Sequence, residues 1–500
     1  MTIQSTASPS SSHKYPPGFR ARRGLNWGFI GLLYTSFYMC RYNLSIANKS
    51  ISTEFGFSRE QMGKIITAAL LAYACGQIIN GLITDRIGGK RAMLIGAAGT
   101  IVMNLLFGAA SFAGMLGLFI AIRGIDGYLQ AFGAPGMVKI NTAWFRHRER
   151  GRFSGIFGFM INLGRLGIFT IGPALLAGFT ILGLIHVPPL HWRWLFWTPS
   201  ILCAVVAVGM ALTVEETPEA AGFHHVIPDD SAQGAEDSGV STQVRQVIGT
   251  IATNPVVWVT ACAYACTGAV RQAVDQWFPR YMQDLYQVDL KSARFQLLAF
   301  LIPFVASVGS LTAGYVSDTV FKGRRAPVAA VLYFLETAVI LMAAQFHGST
   351  AAIIFFVLIS FTANSTHSIL GSAAPMDIGG RRMAGFALGV IDSFQYFGGS
   401  LAGHFLGKLL DRSLGNYFYF MAPFGFIGGV LMLTILGRVT MAKTVRTTPA
   451  SVEPLPSPTT PISISDRSKN RLSADAPPKP GGMAQAPESD STRTPRQPPS

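Results

Sequence analysis

Arg41 and Arg271 are the residues through which this sequence could do chemistry. Arg41 lies well inside an apolar run, Phe37-Tyr38-Met39-Cys40-Arg41-Tyr42-Asn43, and Arg271 lies at the equivalent depth of another, Ala265-Cys266-Thr267-Gly268-Ala269-Val270-Arg271. An arginine in bilayer hydrocarbon costs at least about 2.5–3.5 kcal/mol on insertion scales, so some interaction must offset that cost. Two cations without a resident counter-ion call for an anionic ligand. Guanidinium forks match phosphate oxygens bidentately, and such pairs are stronger in a low-dielectric cavity than in water. The structural alternative is that each arginine pairs with a carboxylate such as Asp275, Asp126 or Asp392.

The elements that must position these residues follow from composition. Half of the 500 residues are hydrophobic (50%) and only 13% are charged, too few to cover the surface of a soluble protein of this size. Mean hydropathy is +0.37. Apolar runs long enough to cross about 30 Å of hydrocarbon recur from Leu25 to Gly437. They predict an all-α membrane protein with twelve transmembrane helices in two pseudo-symmetric six-helix halves, 25–214 and 251–438. The fourth, fifth and eleventh spans are predicted at 115–139, 153–183 and 384–409. Residues 1–24 form a polar N-terminal segment without the apolar core and cleavage site of a signal peptide, so the first helix is expected to remain as an anchor. Residues 215–250, acidic and rich in Gly, Ser and Pro, read as a linker, and 439–500, rich in Pro, Ser and Thr, as a disordered tail.

A net charge of +15 would suggest a nucleic-acid partner in a soluble protein. Here the basic residues form short clusters in alternate loops, at Arg20–Arg23, Arg86–Arg91, Arg146–Arg152, Lys322–Arg325 and Arg381–Arg382, which reads as topology. The positive-inside rule then places both termini and the linker in the cytoplasm, and the expected partner is the lipid bilayer of an inner (plasma) membrane, with no nucleic acid. The five cysteines all fall within apolar segments and read as small core residues.

Internal repetition supports the two halves. Gly81-Leu-Ile-Thr-Asp85-Arg86-Ile-Gly-Gly-Lys90-Arg91 is echoed by Gly314-Tyr-Val-Ser-Asp318 followed by Lys322-Gly-Arg-Arg325, an offset of 233, while Arg271 follows Arg41 by 230. A duplicated six-helix unit explains both. The first copy resembles the cytoplasmic signature of the major facilitator superfamily. Its glycines allow close helix approach, and Asp85, Arg86, Lys90, Arg91 and Asp318 are candidates for conformational gating, through ion pairs made in one access state only. A plain positive-inside anchor is the alternative.

A distributed set of motifs resembles the organophosphate:phosphate antiporter family, which includes bacterial glycerol-3-phosphate and hexose-phosphate transporters. It comprises Tyr38-x-x-Arg41-x-Asn43, Phe57-Ser58, Gln130-x-x-Gly133-x-Pro135, Glu149-Arg150-Gly151, Thr217-Pro218-x-x-x-Gly222, Arg271 with Trp277-x-Pro279-x-Tyr281, and Tyr396-x-Gly398-Gly399. The resemblance implies a major facilitator fold in which Arg41 and Arg271 bind the phosphate group and the two halves rock around it. Two positions depart from the family: Gln77 stands where a lysine is usual in the second helix, and Ile161 where glycerol-phosphate transporters carry a histidine. Arg165, one helical turn beyond Ile161, could replace the missing cation, or could pair with Asp126 or Asp392. Tyr38, Gln130, Asn162 and Tyr396 could hydrogen-bond a substrate, with satisfied helix packing as the alternative for each.

The expected function is exchange of an organic phosphate ester (sugar phosphate, glycerol phosphate or phosphoglycerate) for inorganic phosphate as counter-substrate, by a monomer without cofactors. A proton-coupled organic anion symporter using Asp392 or Glu336 and a non-transporting sugar-phosphate sensor are the alternatives. The sequence carries no metal-ligand cluster, nucleophile elbow or phosphate-binding Gly loop that would give an enzyme a foothold.

Overall fold

Long apolar segments punctuated by glycine, proline and capping residues give thirteen α-helices among the described residues. The computed structural model describes residues 15–145, 147–181, 184–224, 226–227, 249, 253–321 and 324–436, with backbone alone at 147–157, 181 and 372–388. The first half comprises α1 (Phe19–Phe55), α2 (Arg59–Ile87), α3 (Gly89–Ala109), α4 (Leu116–Gln130), α5 (Gly133–Trp144), α6 (His147–Ala177) and α7 (Trp194–Thr213). The second comprises α8 (Pro255–Leu285), α9 (Ala293–Thr319), α10 (Arg325–Gln345), α11 (Ser349–Ser368), α12 (Ala374–Arg412) and α13 (Asn416–Thr434). Counting α4 and α5 as one helix broken at Ala131–Phe132 gives, among the described residues, six long helices before residue 228 and six after 253.

Local signals set the boundaries. Ser58 and Gln61 form a reciprocal capping box at the start of α2 (3.1 and 2.9 Å), Gly56 ends α1 with φ at 66°, and Asn254 followed by Pro255 opens α8. The fifth span ends at Ala177, short of the expected 183, because Gly178 turns the chain at φ 76° into an antiparallel pair of short strands, β1 (Phe179–Ile181) and β2 (Ile185–Val187). A π-helical turn at Ile369–Ala373 joins α11 to α12, and α12 starts at Ala374, ten residues ahead of the expected 384.

Among the described residues, eight helices are long and apolar enough by composition to cross a membrane, and α1, α4, α5, α8 and α12 are not among them. Of these, α1, α4, α8 and α12 carry Arg41, Arg123, Arg271 and Asp392. A helix that faces the bundle interior can hold polar residues that a lipid-facing one cannot. The lipid-facing side is visible in exposed apolar residues such as Val205, Leu212, Leu311 and Val331. Cys75 and Cys262 lie on that exposed side, contrary to the expected core role, whereas Cys40, Cys203 and Cys266 are buried.

Helix α12 is the hub, packing against α2 of the first half and α8 of the second. Contact is backbone to backbone: a methyl group on Gly268 would lie 1.8 Å from the Gln395 carbonyl oxygen, and one on Gly63 2.3 Å from that of Gly403. Gly268→Ala is therefore expected to force α8 from α12, at roughly 1–3 kcal/mol of overpacking. A lowered melting temperature of the purified variant would show this, and an unchanged one would contradict the close approach.

The start of the expected linker is packed onto the first half. Glu216 accepts hydrogen bonds from the amides of Gly89 (2.5 Å) and Lys90 (3.3 Å) at the N-terminus of α3, and the Glu215 carbonyl accepts from Asn26 and Trp144. Residues 228–248 and the tail from 437 lie outside the described residues.

Candidate functional site

Arg41 leaves the middle of α1 almost fully buried, at 6% exposure. Its Nε donates to Gln130 Oε1 (3.0 Å) and its Nη1 to the Tyr396 hydroxyl (2.9 Å), while Nη2 has no hydrogen-bond partner among the described residues. The rings of Tyr73 and Tyr38 lie 4.2 and 4.6 Å from the guanidinium carbon, so the charge is caged by π faces rather than by a carboxylate. A narrow pocket opens beside it, with Leu70, Tyr73, Gln130, Gln276 and Tyr396 in its wall.

A second arginine, absent from the sequence-based site, holds this arrangement. Arg123 of α4 pairs with Asp126 (2.8 Å), both nearly inaccessible, and donates to the α1 carbonyls of Cys40 (3.1 Å) and Arg41 (2.5 Å). Asp126 in turn accepts two hydrogen bonds from Gln130 (3.0 Å each), and Gln130 holds Arg41. The signal was legible: Arg123-x-x-Asp126 is an ionisable pair inside an apolar helix, as anomalous as Arg41 itself. Asp126 is thus Arg123's partner, not that of Arg41, Arg271 or Arg165.

Arg271 is 3% exposed, and its Nε lies 3.9 Å from Asp275 Oδ2, one turn along α8, without a hydrogen bond. The expectation that both arginines lack a counter-ion is corrected here. Asp275 is near Arg271, but its other oxygen is taken by Arg165 in a close, fully buried ion pair. The partner of Arg165 is therefore neither Asp126 nor Asp392. The pair joins α6 of one half to α8 of the other. Asn162 completes it, accepting from Arg165 Nη1 (3.1 Å) and donating to Ser307 of α9 (2.7 Å).

Tyr38 and Tyr396 act electrostatically on both Arg41 and Arg271, one cation from each half. Gln77, at the position of the missing lysine, donates to Asp392 (2.8 Å) and to Tyr73 (3.1 Å). His367 bonds the Tyr264 hydroxyl (2.5 Å), while both carboxyl oxygens of the buried Glu336 lack partners among the described residues.

The basic-loop residues lie apart from this centre. Asp85 is 3.8 Å from Lys139 of α5, not from Arg86, Lys90 or Arg91, and Asp318 pairs with Arg325 (2.7 Å). The opposite end of the bundle is sealed between halves. Asp284 of α8 meets Lys49 (3.1 Å) and Arg59 (2.8 Å), Arg280 donates to Asn48 (2.6 Å) and Ser52 (2.8 Å), and Asp411 of α12 accepts from the first amides of α2 (2.9 and 2.8 Å). Asp284→Asn is expected to loosen this seal. A cysteine at Ser45, buried where α1 meets α8, should then react several-fold faster with a membrane-impermeant maleimide added at that end. Equal rates in both backgrounds would mean that the ion pairs do not hold the closure.

The sequence profile described as Major Facilitator Superfamily matches residues 30–403. The membrane sensor protein UhpC of Escherichia coli is 26% identical over 82% of this chain and 91% of its own. A probable hexose phosphate transport protein of Chlamydia pneumoniae is 26% identical over 77% of this chain and 84% of its own. Among solved structures, a bacterial homologue of the human lysosomal transporter Spinster, inward-facing and unoccupied, superposes with a TM-score of 0.64 at 16% identity, covering 84% of this chain and 96% of that one.

Proposed function

Because this chain belongs to the Major Facilitator Superfamily, we propose that it is a secondary transporter exchanging an organic phosphate ester for inorganic phosphate by alternating access. The observation that carries this reading is the pair Arg41 and Arg271: one cation from each half, both buried, neither hydrogen-bonded to a carboxylate among the described residues. A phosphoryl group offers each guanidinium two oxygens and would neutralise both. Tyr38 and Tyr396 border the same region, while Gln130 holds Arg41 and Asn162 holds Arg165. The site is a substrate site and not a catalytic one.

Obligatory exchange follows from electrostatics. Closing an empty cavity over Arg41, which meets no carboxylate among the described residues, and Arg271, whose Asp275 is shared with Arg165, would dehydrate two under-compensated cations, so the empty carrier stalls. Asp85, Arg86, Lys90, Arg91 and Asp318 are placed by this reading at the cytoplasmic gate and the Asp284 network at the outer one, with both termini in the cytoplasm. A monomer suffices, because both arginines come from one chain.

A second reading is favoured by one observation: the similarity to UhpC, a membrane sensor. A sensor would bind the ester without moving it. Proteoliposomes loaded with labelled phosphate separate the two. External phosphate or ester should release the label, and no release should occur into buffer alone. Saturable binding without release would establish the sensor, and release driven by a proton gradient alone would establish a symporter.

A further inference from the structure

Four arginines are buried in the described centre of the bundle, and their commitments differ. Arg123 holds Asp126 and Arg165 holds Asp275 in close ion pairs, Arg271 reaches only the other oxygen of the same Asp275 at 3.9 Å, and Arg41 meets no carboxylate among the described residues. Arg41 and Arg271 remain for a ligand, and one phosphoryl group occupies both. The described residues of the site then offer no further uncommitted cation for a second anionic group on the same molecule.

Unpartnered amides lie on α8 and α12. Gln395 of α12 is fully buried, and neither its Oε1 nor its Nε2 has a hydrogen-bond partner among the described residues. Gln272 of α8 is fully buried too, with Nε2 unpartnered and Oε1 accepting only a long bond from Gln276 (3.3 Å). Gln276 lines the same pocket as Arg41 and Tyr396. Gln272 and Gln276 lie on α8 and Gln395 on α12, the two helices that pack backbone to backbone at Gly268 and Gln395. Gln272 and Gln276 are one turn apart on α8. The Gln272 side chain packs against Gly399, one turn from Gln395, and Gln272 and Gln395 adjoin Arg271 and Tyr396 in sequence.

Buried polar groups are rarely left without partners, and a carboxamide offers both donors and an acceptor. A hydroxyl is the ligand group that answers both, since it donates and accepts. A carboxylate only accepts, and a methylene does neither. We infer that the site takes phosphate esters whose organic part is uncharged and rich in hydroxyls, that Gln272, Gln276 and Gln395 read those hydroxyls, and that esters bearing a second acidic group are discriminated against. The inference rests on the phosphate-ester reading above and adds to it the character of the ester and the residues that select it.

The test uses full-length protein in proteoliposomes loaded with labelled phosphate. The external probes are inorganic phosphate, glucose 6-phosphate, 2-deoxyglucose 6-phosphate and 3-phosphoglycerate. Glucose 6-phosphate is expected to half-saturate at a concentration about tenfold below that of 3-phosphoglycerate, with the deoxy ester between them. In Gln395→Met and Gln276→Met the preference for glucose 6-phosphate over inorganic phosphate should fall about tenfold, the phosphate-driven release reporting that the variant is folded. Equal or better use of 3-phosphoglycerate by the unaltered protein would overturn the inference without any variant being made. So would Met variants that lose phosphate and ester affinity in the same proportion. Those outcomes leave phosphate exchange standing, whereas absence of release by any probe would remove the exchange reading and the inference with it.

Discussion

Arg41→Lys and Arg271→Lys should each reduce phosphate binding about 10- to 100-fold and abolish measurable exchange, although the charge is kept. Arg41 already spends Nε on Gln130 and Nη1 on Tyr396, and its planar head lies near the ring faces of Tyr38 and Tyr73. A lysine ammonium is a compact point charge that cannot reproduce the fork and the two anchoring bonds at once. Arg271 has no hydrogen bond among the described residues and is the less constrained of the two, so its replacement should affect binding without loss of stability. Exchange assays paired with thermal melts check this. Near-normal exchange by both single variants would remove the clamp.

Replacing Arg165 should act on stability first. Its removal leaves Asp275 buried with only the distant Arg271 Nε, at 3.9 Å, to compensate it. Breaking a buried pair from one side costs about 3–5 kcal/mol, whereas replacing both members with apolar residues of similar volume is often neutral. Arg165→Ala is thus expected to lower yield and melting temperature sharply, and Arg165→Met with Asp275→Leu to recover both. Gln77→Lys should not rescue Arg165→Ala, because position 77 faces Asp392. A stable Arg165→Ala protein with weakened phosphate binding, restored by Gln77→Lys, would instead show that Arg165 stands in for the second-helix cation.

These two predictions mark where sequence was informative and where it stopped. Most helix positions were legible because each span must satisfy its own backbone in lipid, although the end of α6 and the start of α12 fell six and ten residues from the expected bounds. The break between α4 and α5 was not, since the first proline, Pro135, comes after it and the chain at Ala131–Phe132 stays close to helical. The β1–β2 hairpin was not legible either, because its apolar residues continue the pattern of α6. Arg41 and Arg271 stood out because an intramembrane charge is costly wherever it points. Asp275, one turn from Arg271, was readable as its neighbour, but the Arg165–Asp275 pair was not, since the two are 110 residues apart and meet only when the two halves pack. Arg123 was readable by the same cost argument, since it too is an arginine inside an apolar helix.

The most direct measurement of the central claim is a binding titration of the purified protein with inorganic phosphate, alongside the double variant Arg41→Lys with Arg271→Lys. The account predicts one saturable phosphate site per chain in the unaltered protein and no detectable binding in a double variant that retains its melting transition. Phosphate affinity preserved in that folded double variant would contradict it.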